Sequence, residues 1–484
     1  MFGLVSCAVG PDYERPEVES PNAWRFVDAD ARDTANIRWW EQFDDPVLDD
    51  LINSALQENL DVRIAAARIE EFVGRLRSTR SGFFPQFGYD ARGSRERTTE
   101  AGAVPLPPGL DPVSNSYSAV INMSWEIDLW GKLRRATEAS RADLLATEEA
   151  RRAVILSLVS AVANSYVTLR DLDKRLEIAQ RTLDSREQML RLFEKRYQGG
   201  VVSELELSQV HSEYAQALAE VPARERDIAL LENAIAVLLG RNPGAITRGK
   251  TIDELTLPPV PEALPSQVLE QRPDIRQAEQ NLIAANARIG VARARYFPTI
   301  SLTGFFGSVS AALSDLFTSP AQVWNYGGSI AGPIFTGGAI AGEVQQAEAR
   351  QKQALLAYQQ AIQSAFREVE DALIDHEKSR EQLEAQRERV EALENYARLA
   401  KLRYDNGYTS YLEVLESERS LFSAELAYAQ NQGAVYGALV DIYKAVGGGW
   451  VVQAEQIAGP ALPEDAPASA QPTSDTPGDP ATTE

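Results

Sequence analysis

The sequence predicts a mixed α and β membrane protein built as two structural repeats, whose strands contribute to a transmembrane barrel shared between chains. Three observations predict it. First, the chain restates itself: Asp61 to Pro85 closes on Phe83-Phe84-Pro85, and Asp274 to Pro298 closes on Tyr296-Phe297-Pro298 at the same internal spacing of 24 residues (85 − 61 and 298 − 274). Arg196-Tyr197 with Gly200 and Ser203 is likewise echoed by Arg403-Tyr404 with Gly407 and Ser410, at an offset of 207 (403 − 196). Such self-similarity marks repeated structural units. Second, four segments alternate apolar and polar residues with a period of two. Third, two stretches are helical in composition over a length far beyond an ordinary globular helix.

In chain order, residues 8–45 form an N-terminal segment rich in Pro and Asp, with Trp24, Trp39 and Trp40 as packing anchors and Asp45-Pro46 reading as N-cap plus first helical residue. Repeat 1 spans 46–240 and repeat 2 spans 266–447, each a helix, a β-hairpin (about 83–130 and about 297–335) and a long helical hairpin. Residues 241–265, with Pro258, Pro259, Pro261 and Pro265, link the repeats. Residues 448–484 close the chain, and their acidic, Pro- and Thr-rich tail has no apolar periodicity, as expected of a disordered segment.

The strand signal is clearest where Tyr117, Ala119, Ile121, Met123, Trp125 and Ile127 alternate with Ser116, Ser118, Asn122, Ser124, Glu126 and Asp128. Phe87 and Tyr89 oppose Asp90 and Arg92; Ile300 and Leu302 oppose Ser301 and Thr303; Trp324, Tyr326 and Ile330 oppose Asn325 and Ser329. One apolar and one polar face suit a strand between lipid and a wet lumen, though a soluble amphipathic hairpin shares the pattern. Four strands cannot close a membrane barrel, which takes about eight or more, and an open edge in lipid leaves backbone groups unpaired. In lipid, the barrel must therefore be shared. Asp90, Glu126 and Asp128 would make its lumen favour cations, with Arg92 partly offsetting them.

From Lys132 to Arg196 there is no proline, and apolar stripes such as Ile155, Leu158, Val159 and Val162 recur at helical spacing. Ala339 to Asp405 matches it. At 1.5 Å per residue such helices reach roughly 100 Å, about three bilayer cores. Each reverses at a glycine, Gly200 or Gly407, and returns through Ser203-x-x-Glu206 or Ser410-x-x-Glu413, both fitting a capping box. Pro222 should interrupt the first return helix and kink it.

Composition narrows the function. With 48 Lys+Arg against 70 Asp+Glu and a net charge of −22, a nucleic-acid partner is disfavoured. No window approaches 18 to 20 uninterrupted apolar residues, so an α-helical crossing is not expected. Two histidines, His211 and His376, and one cysteine leave nothing for a His/Cys metal site, and no phosphate-binding glycine loop exists, so no cofactor and no enzyme activity are expected.

Cys7-Ala8-Val9-Gly10-Pro11-Asp12-Tyr13, Trp39-Trp40 with Asp45-Pro46, Arg272-Pro273-Asp274-Ile275, Tyr411-Leu412-Glu413-Val414-Leu415 and Tyr443 to Trp450 span nearly the whole chain in order. Together they make it similar to the TolC/NodT-type outer-membrane factor family, specifically the lipoprotein exit ducts of resistance-nodulation-division efflux systems. The resemblance implies a homotrimer whose three chains give four strands each to one barrel, continued by a periplasmic α-helical barrel. It implies a bacterial outer-membrane location, a periplasmic adaptor and an inner-membrane transporter as partners, and passive conduction of drugs or other small molecules. Leu4-Val5-Ser6-Cys7 resembles a lipobox, which implies that 1–7 is a residual signal and that Cys7 is lipidated and held in outer-membrane lipid. By the same resemblance Leu412 and Glu416, four apart on one helical face, line the gate with their repeat counterparts Leu205 and Gln209 and with Arg403 and Tyr404. The turns at Gly200, Ser203, Gly407 and Ser410 are then the adaptor-docking candidates. A duct for peptide, protein or oligosaccharide secretion is the nearest alternative, and a poreless periplasmic tether a further one.

Overall fold

The computed structural model describes residues 8–26, 31–32, 34, 36–101, 107, 109, 111–262 and 264–459. Cys7 and the tail from 460 lie outside the described residues.

The same run of elements occurs twice. After α1 (Pro46–Glu58) come α2 (Leu60–Ser81), β1 (Gln86–Arg97), β2 (Val113–Ile127), α3 (Lys132–Gln198) and α4 (Glu204–Leu238). After α5 (Pro265–Gln271) come α6 (Pro273–Ala294), β3 (Thr299–Ser310), β4 (Gln322–Ala331), α7 (Ala339–Asp405) and α8 (Tyr411–Val446), with α9 (Trp450–Ile457) at the end. Helices α3 and α7 are each 67 residues long, as the proline-free composition of both stretches predicts. Asp45 caps α1 by accepting from Val47 N at 2.9 Å, with Pro46 at the first helical position.

The strands form one antiparallel sheet in the order β1-β2-β3-β4. Both expected hairpins are present, and β2 also pairs with β3 across the two halves, from Ile127↔Ile300 to Tyr117↔Ser310. Strand limits differ from the sequence expectation: β4 ends at Ala331, and Ile334 lies beyond it, fully exposed.

The principal core sits where α1, α9 and the segment around Trp39 pack on the midpoints of the long helices. Trp39 stacks on Tyr443 at 5.0 Å between ring centres and meets Trp40 and Trp450 edge-on. One expectation is corrected here. Helix α3 does carry an 18-residue window apolar enough to cross a membrane, but Ile155, Val159, Val162, Ala163 and Tyr166 are fully buried within the protein. That apolarity serves packing among helices. A second correction concerns Pro222, which lies inside α4 without ending it.

Candidate functional site: sheet, joint and helical tip

Alternation places odd residues of β1 and β2 and even residues of β3 and β4 on one face, because partners in an antiparallel pair share a face. Tyr89, Ile121, Phe306, Trp324, Tyr326 and Ile330 are all exposed on it. Trp324 and Tyr326 stack at 5.7 Å. A large exposed apolar face on a sheet with two open edges, β1 and β4, is unstable in water and suited to lipid.

At the joint between sheet and helices, two of the acidic residues are held in ion pairs. The Asp128 carboxylate accepts from Leu133 N at 2.9 Å and Arg134 N at 3.0 Å and pairs with the Arg134 guanidinium, so it closes the first turn of α3. Glu126 pairs with Lys132 Nζ at 2.8 Å. Of the three acids expected to attract cations, only Asp90 stands on a strand without such a partner among the described residues. The N-terminal segment reaches this level: Val9 N donates to Trp130 O at 3.0 Å, and Trp130 stacks on Phe297 at 4.7 Å.

Below the core, α3, α4, α7 and α8 run together to the tip. Arg186 of α3, 4 % exposed, lies 2.8 Å from Glu418 of α8 and 4.0 Å from Glu213 of α4. Burial pushes the Glu418 carboxyl above its ordinary range, with Arg186 opposing that shift. Arg186 was not foreseen from the sequence, since an arginine in a charged helix carries no mark of burial.

The tip is a small second core of Leu190, Phe193, Val210, Tyr411, Val414 and Leu415. Burial, then the charge of Glu418, holds the Tyr411 phenol well above its usual range. Gly200 and Gly407 turn the chain with φ of +71° and +75°, the left-handed region that favours glycine. Ser203 and Glu206 form the expected capping box: Glu206 N donates to Ser203 Oγ at 3.2 Å and Ser203 N to Glu206 Oε2 at 2.8 Å. Donation to its carboxylate from Ser203 N, and then from Ser203 Oγ at 2.9 Å, lowers the Glu206 pKa. The second box is corrected. Ser410 makes no side-chain cap bond, Glu413 N donating to Ser410 O at 3.3 Å, and the Glu413 carboxylate accepts from Thr409 Oγ1 and from Arg403 Nη1 at 3.2 Å.

Leu205 and Leu412 stand 68 % and 60 % exposed at the tip, and Glu416 is exposed with Arg419 at 4.0 Å. Gln209 is half-buried. Tyr404 reaches the other hairpin, its hydroxyl accepting from Arg196 Nη1 at 2.6 Å. Arg196 was missed by sequence reasoning, although its offset of 207 from Arg403 was the signal that could have found it. Among the described residues no three His, Cys, Asp or Glu side chains cluster as a metal site.

A sheet fit for lipid, a shaft of 67-residue helices and a small-cored tip define a protein that carries a membrane-facing sheet on a long helical shaft. Residues 51–241 and 264–448 match the family described as outer membrane efflux protein. The chain is 36 % identical to the cation efflux system protein CusC of Escherichia coli, over 93 % of this chain and 97 % of that protein. It is 36 % identical to the probable outer membrane lipoprotein SilC of Salmonella typhimurium, over 93 % and 97 %. The structure of the Campylobacter jejuni CmeC outer membrane channel superposes with a TM-score of 0.87 at 27 % identity, over 92 % and 95 %. The chain belongs to the outer membrane efflux protein family. It is an outer-membrane exit duct for efflux, placed in the bacterial outer membrane and extending into the periplasm, in a family of transport ducts rather than enzymes.

Proposed function

We propose that three copies of this chain form one duct, a 12-stranded barrel leading into a helical tunnel, with the two repeats (46–240 and 266–447) as quasi-equivalent staves. The observation that carries this is the four-stranded sheet with an apolar exposed face and two unpaired edges, which lipid tolerates only when both edges are closed. Cys7 is the lipid attachment: the residue after it, Ala8, packs against Gly131 at the joint of sheet and shaft.

The tip is the gate and the docking end. Leu205 and Leu412 are large apolar side chains left exposed by a single chain, which three chains brought together would gather into a constriction, with Glu416 and Gln209 beside it. The turns at Gly200, Ser203, Gly407 and Ser410 present the backbone to a periplasmic adaptor, which couples the duct to an inner-membrane RND transporter. The duct itself is passive: adaptor binding favours the open arrangement by its differential affinity for it. Cargo, drugs or other small molecules, is chosen by the transporter.

Planar-bilayer conductance of purified protein tests the gate. Small conductance in the native protein and larger conductance after Leu412→Ala with Glu416→Ala are expected. Equal conductance in both overturns the gate, and a monomeric mass with no conductance overturns the duct.

A further inference from the structure

The two halves of the chain repeat with two constant offsets, and these determine how neighbouring chains join. Gln86 opens β1 and Thr299 opens β3, an offset of 213 (299 − 86); the ends of α2 and α6, Ser81 and Ala294, differ by the same 213 (294 − 81). Gln86 pairs with Ser124 and Thr299 with Ala331, so β2 and β4 are related by 207 (331 − 124). The starts of α3 and α7, Lys132 and Ala339, are also related by 207 (339 − 132). Strand pairing and helix boundaries thus agree on one internal correspondence.

Within the chain, the seam between halves is the β2–β3 pairing, in which Asn122 faces Phe305 and Met123 faces Gly304. In a closed ring of such halves, every second seam lies between chains and joins β4 to the β1 of the next copy. We infer that β4 pairs with the neighbour's β1 in the register obtained by carrying the internal seam across: Ser329 (122 + 207) faces Arg92 (305 − 213), and Ile330 (123 + 207) faces Ala91 (304 − 213). This rests on the shared-barrel reading above. The partner is a second copy of this chain, and both open edges are its surface.

Chemistry supports this register. It sets Ile330 beside Ala91 on the apolar face and Ser329 beside Arg92 on the polar one, whereas a slip of one residue would turn Asp90, Arg92 and Glu96 toward the face that carries Trp324 and Tyr326. The helical seam changes character under the same operation. Arg276 of α6 and Glu149 of α3 form an ion pair of 2.8 Å within the chain. Their counterparts at the chain boundary are Arg63 (276 − 213) and Leu356 (149 + 207), with Ile64 adjacent. Leu356 and Ile64 are 55 % and 52 % exposed in the single chain. The inter-chain seam therefore covers apolar side chains where the internal seam uses charge.

Disulfide trapping tests the register, because paired antiparallel residues lie about 5 Å apart at Cα, within reach of a disulfide. Edges β1 and β4 of one sheet are three strand spacings apart, about 14 Å, so a bond between them joins different chains. Arg92→Cys with Ser329→Cys should convert most of the protein to a three-chain species on non-reducing denaturing gels, while Arg92→Cys with Gly327→Cys or with Ala331→Cys should leave it largely single-chain. Preferential trapping of either shifted pair in a protein whose native mass is trimeric overturns the register and leaves the trimer standing. Native-mass trimers in which none of the three pairs traps also overturn the register. A monomeric native mass for the parent protein overturns the shared barrel itself.

Discussion

Arg186 and Glu418 lie 232 residues apart in sequence and 2.8 Å apart in space, and this contact ties the first half of the chain to the second just above the tip. Removing the carboxylate by Glu418→Ala leaves a buried guanidinium whose remaining carboxylate partner among the described residues is Glu213, at 4.0 Å. The expected loss is about 2 kcal/mol, the scale of a hydrogen bond to a charged group, read as faster proteolytic nicking at the turns around Gly200 and Gly407.

The same pair gives a pH dependence. The folded-state pKa of Glu418 lies above 4.5, so the folded chain binds a proton there at pH values where the unfolded chain has lost it. Its contribution to stability therefore rises as pH falls through the folded pKa toward 4.5 and is lost as pH rises. Thermal unfolding of native protein and of Glu418→Gln, compared across that window, should show the difference between them shrinking on acidification. A difference that widens on acidification would refute the sign.

The two tip serines should behave differently despite their equivalent positions. Ser203→Ala removes a formed cap and should cost about 1 kcal/mol, which is roughly fivefold in amide protection at the start of α4. Ser410→Ala removes no side-chain cap bond and should leave exchange at the start of α8 nearly unchanged.

Tyr166 donates its hydroxyl to the fully buried Asp45 at 2.6 Å and accepts from Gly249 N at 3.0 Å. Tyr166→Phe leaves Gly249 N without its acceptor and takes one donor from Asp45, which keeps Val47 N and Lys250 N, and should destabilise by about 2 kcal/mol, the scale of a hydrogen bond to a charged group. A lowered melting temperature with unchanged helix content at room temperature is the expected reading.

The N-terminal segment crosses α6 at Gly290, where an added Cβ would lie 2.6 Å from Val9 O and 2.7 Å from Arg135 Cγ. Gly290→Ala should lift residues 8–12 from the joint, seen as new protease sensitivity there with the core unaffected. Continued protection would mean that the helix shifts to make room.

Much of the architecture was legible because it depends on neighbours. A capping box needs residues three apart, a strand face needs alternation, and a long helix needs an unbroken run without proline, so Ser203, the four strands, α3 and α7 could be read from sequence. The tandem offsets were equally plain, and they alone suffice to relate β1 to β3 and β2 to β4. Tertiary structure decided where long charged side chains go. Glu413 matches the capping pattern but is held by Arg403 and Thr409. Asp128 and Glu126 alternate as lumen residues would, yet close the joint with Arg134 and Lys132. Arg186 and Arg196 find Glu418 and Tyr404 more than 200 residues away. The physical reason is range: backbone geometry is set by residues within about four positions, whereas the partner of a flexible ion is set by which helices pack together.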